Sequence, residues 1–204
     1  MTSSQDDVNA SQTAGGLARH IPVMLHEVVA NLDPASGETI VDATFGAGGY
    51  TRAILGTGAN VLSIDQDPNA IADGKELVQE MGGRLTLAHG QFSNLDSIAR
   101  DHGFGSVDGV VLDIGVSSMQ LDEAERGFSF QKDGPLDMRM SQTGISAADV
   151  VNHADRSTLT RVIGILGEER HASRISKAIV EARDAMPFSR TLQLAKLIEK
   201  TIGR

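Results

Sequence analysis

Cysteine and tryptophan are absent from the chain, tyrosine occurs once, and aromatic residues make up 3% of it. Without cysteine there is no disulfide framework and no thiolate metal site, a composition that fits a reducing, cytoplasmic setting. So few rings exclude a broad stacking platform for single-stranded nucleic acid. No apolar run approaches the roughly 20 residues of a membrane span. The start, Met1 to Gly16, is polar and lacks the apolar centre of a signal peptide, so it reads as a disordered tail. Six histidines are scattered, none with a second ligand at metal-binding spacing. Ser117 and Ser118 lack the context of a nucleophile elbow, which argues against hydrolase chemistry.

What is present is glycine, short aliphatic runs and an uneven distribution of charge. The 204 residues allow one domain, or one domain with a small appendage. A net charge of −9 argues against simple coating of a nucleic acid. Residues 151–204, however, carry ten Lys/Arg against six Asp/Glu, a net +4, while residues 1–150 carry eight against 21, a net −13. An acidic body with a basic end touches a polyanion through that end; the alternative is a solvated helical surface.

Four aliphatic runs, Ile40–Phe45, Val61–Asp65, Leu85–His89 and Val107–Ile114, have the continuous apolar character of strands covered on both faces. Between them Tyr50–Leu55, Asn69–Met81 and Asn94–His102 read as crossover helices, and Val23–Leu32 as a helix before the first strand. Alternating strands and helices predict an α/β fold with a doubly wound, mostly parallel sheet. Residues 115–145 show no periodic element, which in a compact protein points to function. Helical patterns return at Ala147–His153 behind a Ser146/Asp149 capping pair, then at Ser157–Leu166, Glu168–Ala185 and Thr191–Ile202. The fourth strand is the most apolar and falls near a sheet edge. Either another chain covers that edge, which predicts self-association, or this is part of a longer protein.

The chemistry-bearing residues sit at the ends of the four strands. The first ends in Asp42-Ala43-Thr44-Phe45-Gly46-Ala47-Gly48-Gly49-Tyr50, a glycine-rich turn that lets backbone approach a ligand, or that is simply tight. Thr51 stands where a dinucleotide fingerprint needs its third glycine, which weakens an NAD reading. The second strand ends in Asp65-Gln66-Asp67-Pro68. Asp67 before Pro68 suits a helix cap, leaving Asp65 to accept hydrogen bonds from ribose hydroxyls. Phe92, just past the third strand, offers a face for a purine or packs in the core, and Ser93 reads as a cap. The fourth strand leads into Asp113, Gly115, Ser117, Ser118 and Gln120. An acid at the carboxyl end of a parallel strand is a candidate for the reacting centre; the alternative is a self-satisfied turn.

Thr44-Phe-Gly-Ala-Gly-Gly, Asp65-Gln-Asp-Pro, His89-Gly-Gln-Phe-Ser, Leu112-Asp-Ile-Gly-Val-Ser-Ser, and Glu125-Arg-Gly-Phe-Ser-Phe followed by Asp133-Gly-Pro-Leu-Asp-Met-Arg-Met140 occur in this order. Together with Gly167-Glu-Glu-Arg-His and Arg174-Ile-Ser-Lys-Ala-Ile-Val they resemble the bacterial 16S ribosomal RNA cytosine-N4 methyltransferases, the RsmH or MraW family. The resemblance covers about residues 20–204. It implies S-adenosyl-L-methionine as cofactor on a class I methyltransferase sheet of seven strands with an inserted helical domain, and a longer chain that returns to the sheet. It places cofactor contacts at Gly48, Gly49, Tyr50, Asp65, Phe92, Asp113 and Gln120. Tyr50 and Met119 depart from the His and Pro expected in many members.

The resulting expectation is methyl transfer to the exocyclic N4 of a cytidine in small-subunit ribosomal RNA, with the base extruded and recognised largely by shape. The amine lone pair is delocalised into the ring, so a hydrogen-bond acceptor on its N–H helps to localise it. Asp113 is the first candidate and Asp137 another; Asp133, Asp137 and Arg139 are candidates for gripping the base or backbone. Arg139, Arg170, Arg174 and Lys177 are the expected RNA contacts. The expected division is a tail over 1–19, the first four strands of a cofactor-binding core over 20–145, and an incomplete helical substrate-recognition domain over 146–204. Two other functions fit the same residues: a methyltransferase of small molecules, and a non-catalytic cofactor- or RNA-binding fragment.

Overall fold

The computed structural model describes residues 22–203, so the expected N-terminal tail lies outside the described residues. Four parallel strands, β1 (Thr39–Asp42), β2 (Asn60–Asp65), β3 (Leu85–His89) and β4 (Gly109–Val111), form one sheet in the order β3-β2-β1-β4. The chain steps outward from β1 to β3 and then returns to pair β4 with the other side of β1. That reversal creates a topological switch point between β1 and β4, where open α/β sheets bind ligands.

Side chains alternate across the sheet, so β1, β2 and β3 each feed two cores, while β4 feeds one through Val111 and leaves Val110 exposed. On one face Ile40, Val61, Leu85 and Val111 pack with Tyr50, Ile54 and Leu55 of α2 (Gly49–Gly56), with Leu77 of α4 (Lys75–Glu80), and with α1 (Leu25–Leu32). On the other face Val41, Leu62, Ile64 and Ala88 pack with Ala99 and flanking residues of α5 (Leu95–Asp101). This two-sided cover is why the sequences of β1, β2 and β3 read as unbroken aliphatic runs. Between β2 and β3 the expected single helix is two, α3 (Pro68–Asp73) and α4, broken at Gly74. Asp67 caps α3 by accepting the Asn69 N–H, with Pro68 in the first turn. Ser93 is not a cap: a 3-10 turn over Phe92–Asn94 takes that place, and Asn94 starts α5 without a side-chain cap.

β4 is shorter than Val107–Ile114 because the backbone leaves the ladder at Leu112; the Asp113 N–H bonds the Thr44 hydroxyl oxygen instead of a strand. Among the described residues β4 has no partner on its outer side, and Leu112 and Ile114 are exposed. The stretch 115–145 does contain a helix, α6 (Ser118–Asp122), and a 3-10 turn over Ala124–Arg126. A helical cluster follows: α7 (Ala147–His153), α8 (Arg156–Arg161) running into a π-helical turn over Val162–Leu166, α9 (Ala172–Arg183) and α10 (Thr191–Ile202). α9 starts later than Glu168 because Glu168 sits in the left-handed region at φ 50°, which a right-handed helix cannot include. Val151, Leu159, Ile175, Ile179 and Phe188 form this cluster's own core, joined by Leu136 from the irregular stretch. Among the described residues no helix is long and apolar enough to cross a membrane.

Candidate functional site

The carboxyl ends of β1, β2 and β4 are held together by the side chains of Asp42, Asp65, Thr44, Thr51 and Ser63. Asp42, fully buried, accepts the Thr44 N–H at 3.2 Å and the Thr51 hydroxyl at 2.6 Å; Thr51 in turn meets the Ser63 hydroxyl at 2.7 Å. Asp65 accepts the Gly46 N–H at 2.7 Å on one oxygen and the Asp67 N–H at 2.8 Å on the other. Thr44 accepts the Asp113 N–H at 2.8 Å. The glycine turn is thereby fixed from below by Asp42 and from the side by Asp65. Gly48 closes it at φ 76°, a left-handed conformation that side chains resist, and starts α2.

Burial dominates the Asp42 carboxyl and pushes it up to about 6. Hydrogen bonds from Thr51 and the Thr44 N–H offset part of that rise, and the charge of nearby Asp65 adds to it. The Tyr50 phenol is raised above its ordinary value by burial, then by the charges of Asp113 and Asp42. Its hydroxyl donates to the Val23 carbonyl, so the side chain anchors the approach to α1 and faces the core.

Above these ends lies a cavity of about 520 Å³, within the usual range for a small-molecule site. Gly49, Tyr50, Asp65, Phe92, Asp113 and Gln120 all line it, and Gly48 sits one residue behind the lining. Phe92 is 39% exposed, so its ring is available to a ligand. An ionised carboxylate has about four acceptor positions. Asp65 uses two of them on backbone N–H groups, leaving two. The exposed Asp113 carboxylate accepts no hydrogen bond from the described residues. Gln120 is different: its amide donates to Asp67 at 2.9 Å and accepts the Ser117 N–H at 3.1 Å, so it acts as a strut in the wall.

The remaining expected residues are elsewhere. Asp137 does not line the cavity; it is clamped by Arg139, whose guanidinium reaches both carboxylate oxygens at 2.6–3.1 Å. Those hydrogen bonds hold its carboxyl below the ordinary value, and burial only partly opposes them. Asp133 is likewise paired, with Arg190 at 2.6 Å. Arg170, in the turn before α9, and Arg174 and Lys177 on α9 are exposed on the side opposite buried Ile175 and Ile179. Arg183 and Arg190 are not free charges: Arg183 donates to the carbonyls of Val151 and Ala154.

Sequence reasoning missed three contributors. Thr44 links the first and fourth strand ends, Met140 lines the cavity, and Arg126 pairs with Asp67 at 2.7 Å. A local signal existed for the wall helix: Ser117-x-x-Gln120 forms a reciprocal capping box. None existed for Arg126, whose partner lies in another element.

The model of the MraW methylase family matches residues 17–204. Proteins named ribosomal RNA small subunit methyltransferase H from Brucella ovis and Brucella canis are each 60% identical to this chain over 196 residues, covering 95% of it and 57% of their own length. The chain thus spans little more than half the length of these curated relatives. A solved structure of a putative rRNA-methylase from Clostridium thermocellum aligns at 25% identity over 48% of this chain and 57% of that one, with a TM-score of 0.37, too low to carry an argument.

Proposed function

This chain belongs to the MraW methylase family, and on that premise we propose that it carries the cofactor-binding part of an S-adenosylmethionine-dependent methyltransferase. Its target is the exocyclic N4 of a cytidine in 16S ribosomal RNA of the small ribosomal subunit, a cytoplasmic substrate. The observation that carries the reading is the convergence of Asp65, Phe92 and Asp113 on one cavity at the sheet's switch point. In Asp65, Phe92 and the glycine turn, the cavity has what a nucleoside with a charged amino-acid tail needs. Asp65 has two unused acceptor positions for ribose hydroxyls, Phe92 has an exposed ring for the purine, and the turn brings backbone close to the ligand.

S-adenosylmethionine supplies, when bound, a methyl on a sulfonium that leaves as a neutral thioether, so the protein mainly positions and aligns. The target amine is a weak nucleophile because its lone pair is shared with the ring. Asp113 accepts one N–H of that amine, localises the lone pair, and takes the proton released when nitrogen gains the methyl. Asp137 is set aside as the acceptor because Arg139 occupies both its oxygens. Residues 146–204 act as a substrate-recognition domain, with Arg170, Arg174 and Lys177 facing RNA phosphates.

The test is transfer of labelled methyl from S-adenosylmethionine to small ribosomal subunits that lack the modification, by the 204-residue chain and by a relative of full length. Incorporation as N4-methylcytidine that disappears in Asp113→Ala is the expected result. Label found only on small molecules, or at another atom, contradicts the proposal.

A further inference from the structure

The Asp67 carboxylate carries more hydrogen bonds than a helix cap needs. Asn69 N–H, at 3.0 Å, is the cap bond. The same carboxylate also accepts from Gln120 at 2.9 Å, Arg126 at 2.7 Å and Gln142 at 3.3 Å. Four donors fill the acceptor positions of a carboxylate, so Asp67 borders the cavity but has no capacity left for a ligand. The Asp67–Arg126 pair is the most buried ion pair among the described residues, with side-chain exposures of 4% and 11%. Burial alone would raise the Asp67 carboxyl; hydrogen bonds from Gln120, Arg126 and the Asn69 N–H, with the Arg126 charge, hold it below its ordinary value.

The second hand of Arg126 reaches the other way. Its Nη2 donates to the carbonyls of Arg139 at 3.2 Å and Met140 at 3.0 Å. The Met138 N–H returns to the Arg126 carbonyl at 3.1 Å. At Gly127, φ 74°, a Cβ would lie 2.2 Å from the Pro135 carbonyl oxygen, so the two arms of this loop touch backbone to backbone. The loop's far side is built into the helical cluster. Leu136 N–H donates to the Ser189 carbonyl at 2.9 Å, Ala148 N–H to the Leu136 carbonyl at 2.8 Å, and Asp133 pairs with Arg190. One closed loop is therefore bolted to the helices through residues 133–137 and to the tip of β2 through Arg126.

We infer that Asp67 and Arg126 are positioning residues: their ion pair is the joint that sets the helical cluster, with its basic α9 face, at a fixed angle to the cofactor cavity. The functional consequence rests on the proposed methyl transfer to RNA; the geometric one does not. Misplacing two reacting groups by about an ångström costs on the order of 100-fold in rate, so a loosened joint lowers turnover without removing any contact to either ligand.

Asp67→Asn separates the two roles of this side chain, because asparagine still caps a helix but cannot hold the guanidinium ionically. The chain has no cysteine, so Glu80→Cys on α4 and Lys200→Cys on α10, both exposed, accept spin labels specifically. Double electron–electron resonance should give one narrow distance distribution in the otherwise unaltered protein and one broadened or shifted by several ångströms in Asp67→Asn and in Arg126→Gln. The double variant should add nothing further, since each single change already removes the contact. In the methylation assay kcat should fall about 100-fold while affinity for S-adenosylhomocysteine stays within about threefold. If the unaltered protein methylates nothing, the functional reading fails and the distance measurement still decides the joint. Distributions as narrow and centred in both single variants as in the parent overturn the inference. Should Asp67→Asn lose its helical circular dichroism, Arg126→Gln, which leaves the cap intact, decides alone.

Discussion

The sheet half and the helical half differ in what they bury. Around the sheet, Asp42, Thr51, Ser63, Asp67 and Gln120 are buried polar residues, two of them carboxylates; among the described residues of the helical cluster only Ser176 and Thr191 are. Burying polar groups is costly unless they are paired, and every one of these is paired. The sheet half spends its polar interior holding loops at one rim, where the cavity lies. The helical half keeps its charges outside, where Arg170 before α9 and Arg174 and Lys177 on it form a basic strip. The lesson is that the small-ligand site is to be sought where the interior is polar and the polyanion contact where the exterior is basic.

Whether the halves are one unit is open to a direct mechanical test. Ile179→Ala in the helical core should cost about 2–5 kcal/mol. Tyr50, in the sheet half, is the sole tyrosine and there is no tryptophan, so intrinsic fluorescence reports that half. Its denaturation midpoint should fall together with the helical circular dichroism; a tyrosine midpoint that stays in place would break the molecule into two independent units.

The buried Asp42 sharpens the contrast through pH. Its carboxyl is raised to about 6 in the folded state from an ordinary 3.8. Between those values the folded chain keeps a proton that the unfolded chain has released, so this contribution to stability is complete below about pH 4 and lost as pH rises through 6. The stability of the parent relative to Asp42→Asn should decline by about 3 kcal/mol between pH 4 and 7. A flat difference would mean that Asp42 ionises without penalty.

Two smaller effects separate the proposed ligand sites. Asp65→Ala should weaken S-adenosylhomocysteine by about 2–3 kcal/mol in calorimetry, since it removes a charged acceptor. Unchanged affinity in a folded variant removes the ribose role. Changing Arg170, Arg174 and Lys177 together to Glu should leave that affinity alone while flattening the salt dependence of ribosomal RNA binding by about 2 in log–log slope. An identical slope would make the strip a solvated surface only.

The two halves were legible in sequence for local reasons. β3 matches its aliphatic run residue for residue, and α7 and α10 match their apolar periodicity. Asp65, Phe92 and Asp113 stood out because strand ends place them on one rim. The joint between the halves was not legible, because its order comes from partners far apart in the chain. Arg126 and Asp67 are 59 residues apart, Arg190 and Asp133 57, and Gln142 and Asp67 75. For Asp137 the acidic character was visible, but its capture by Arg139 two residues away was not, because it depends on an i to i+2 turn that periodicity does not report.

The division of labour itself is tested most directly by hydrogen–deuterium exchange with and without S-adenosylhomocysteine. Protection should appear in the rim segments 44–50, 65–67, 90–92 and 113–120 and be absent from α8 and α9. Protection confined to the helical cluster, or none at saturating ligand, would contradict the assignment of the cofactor to the sheet's switch point.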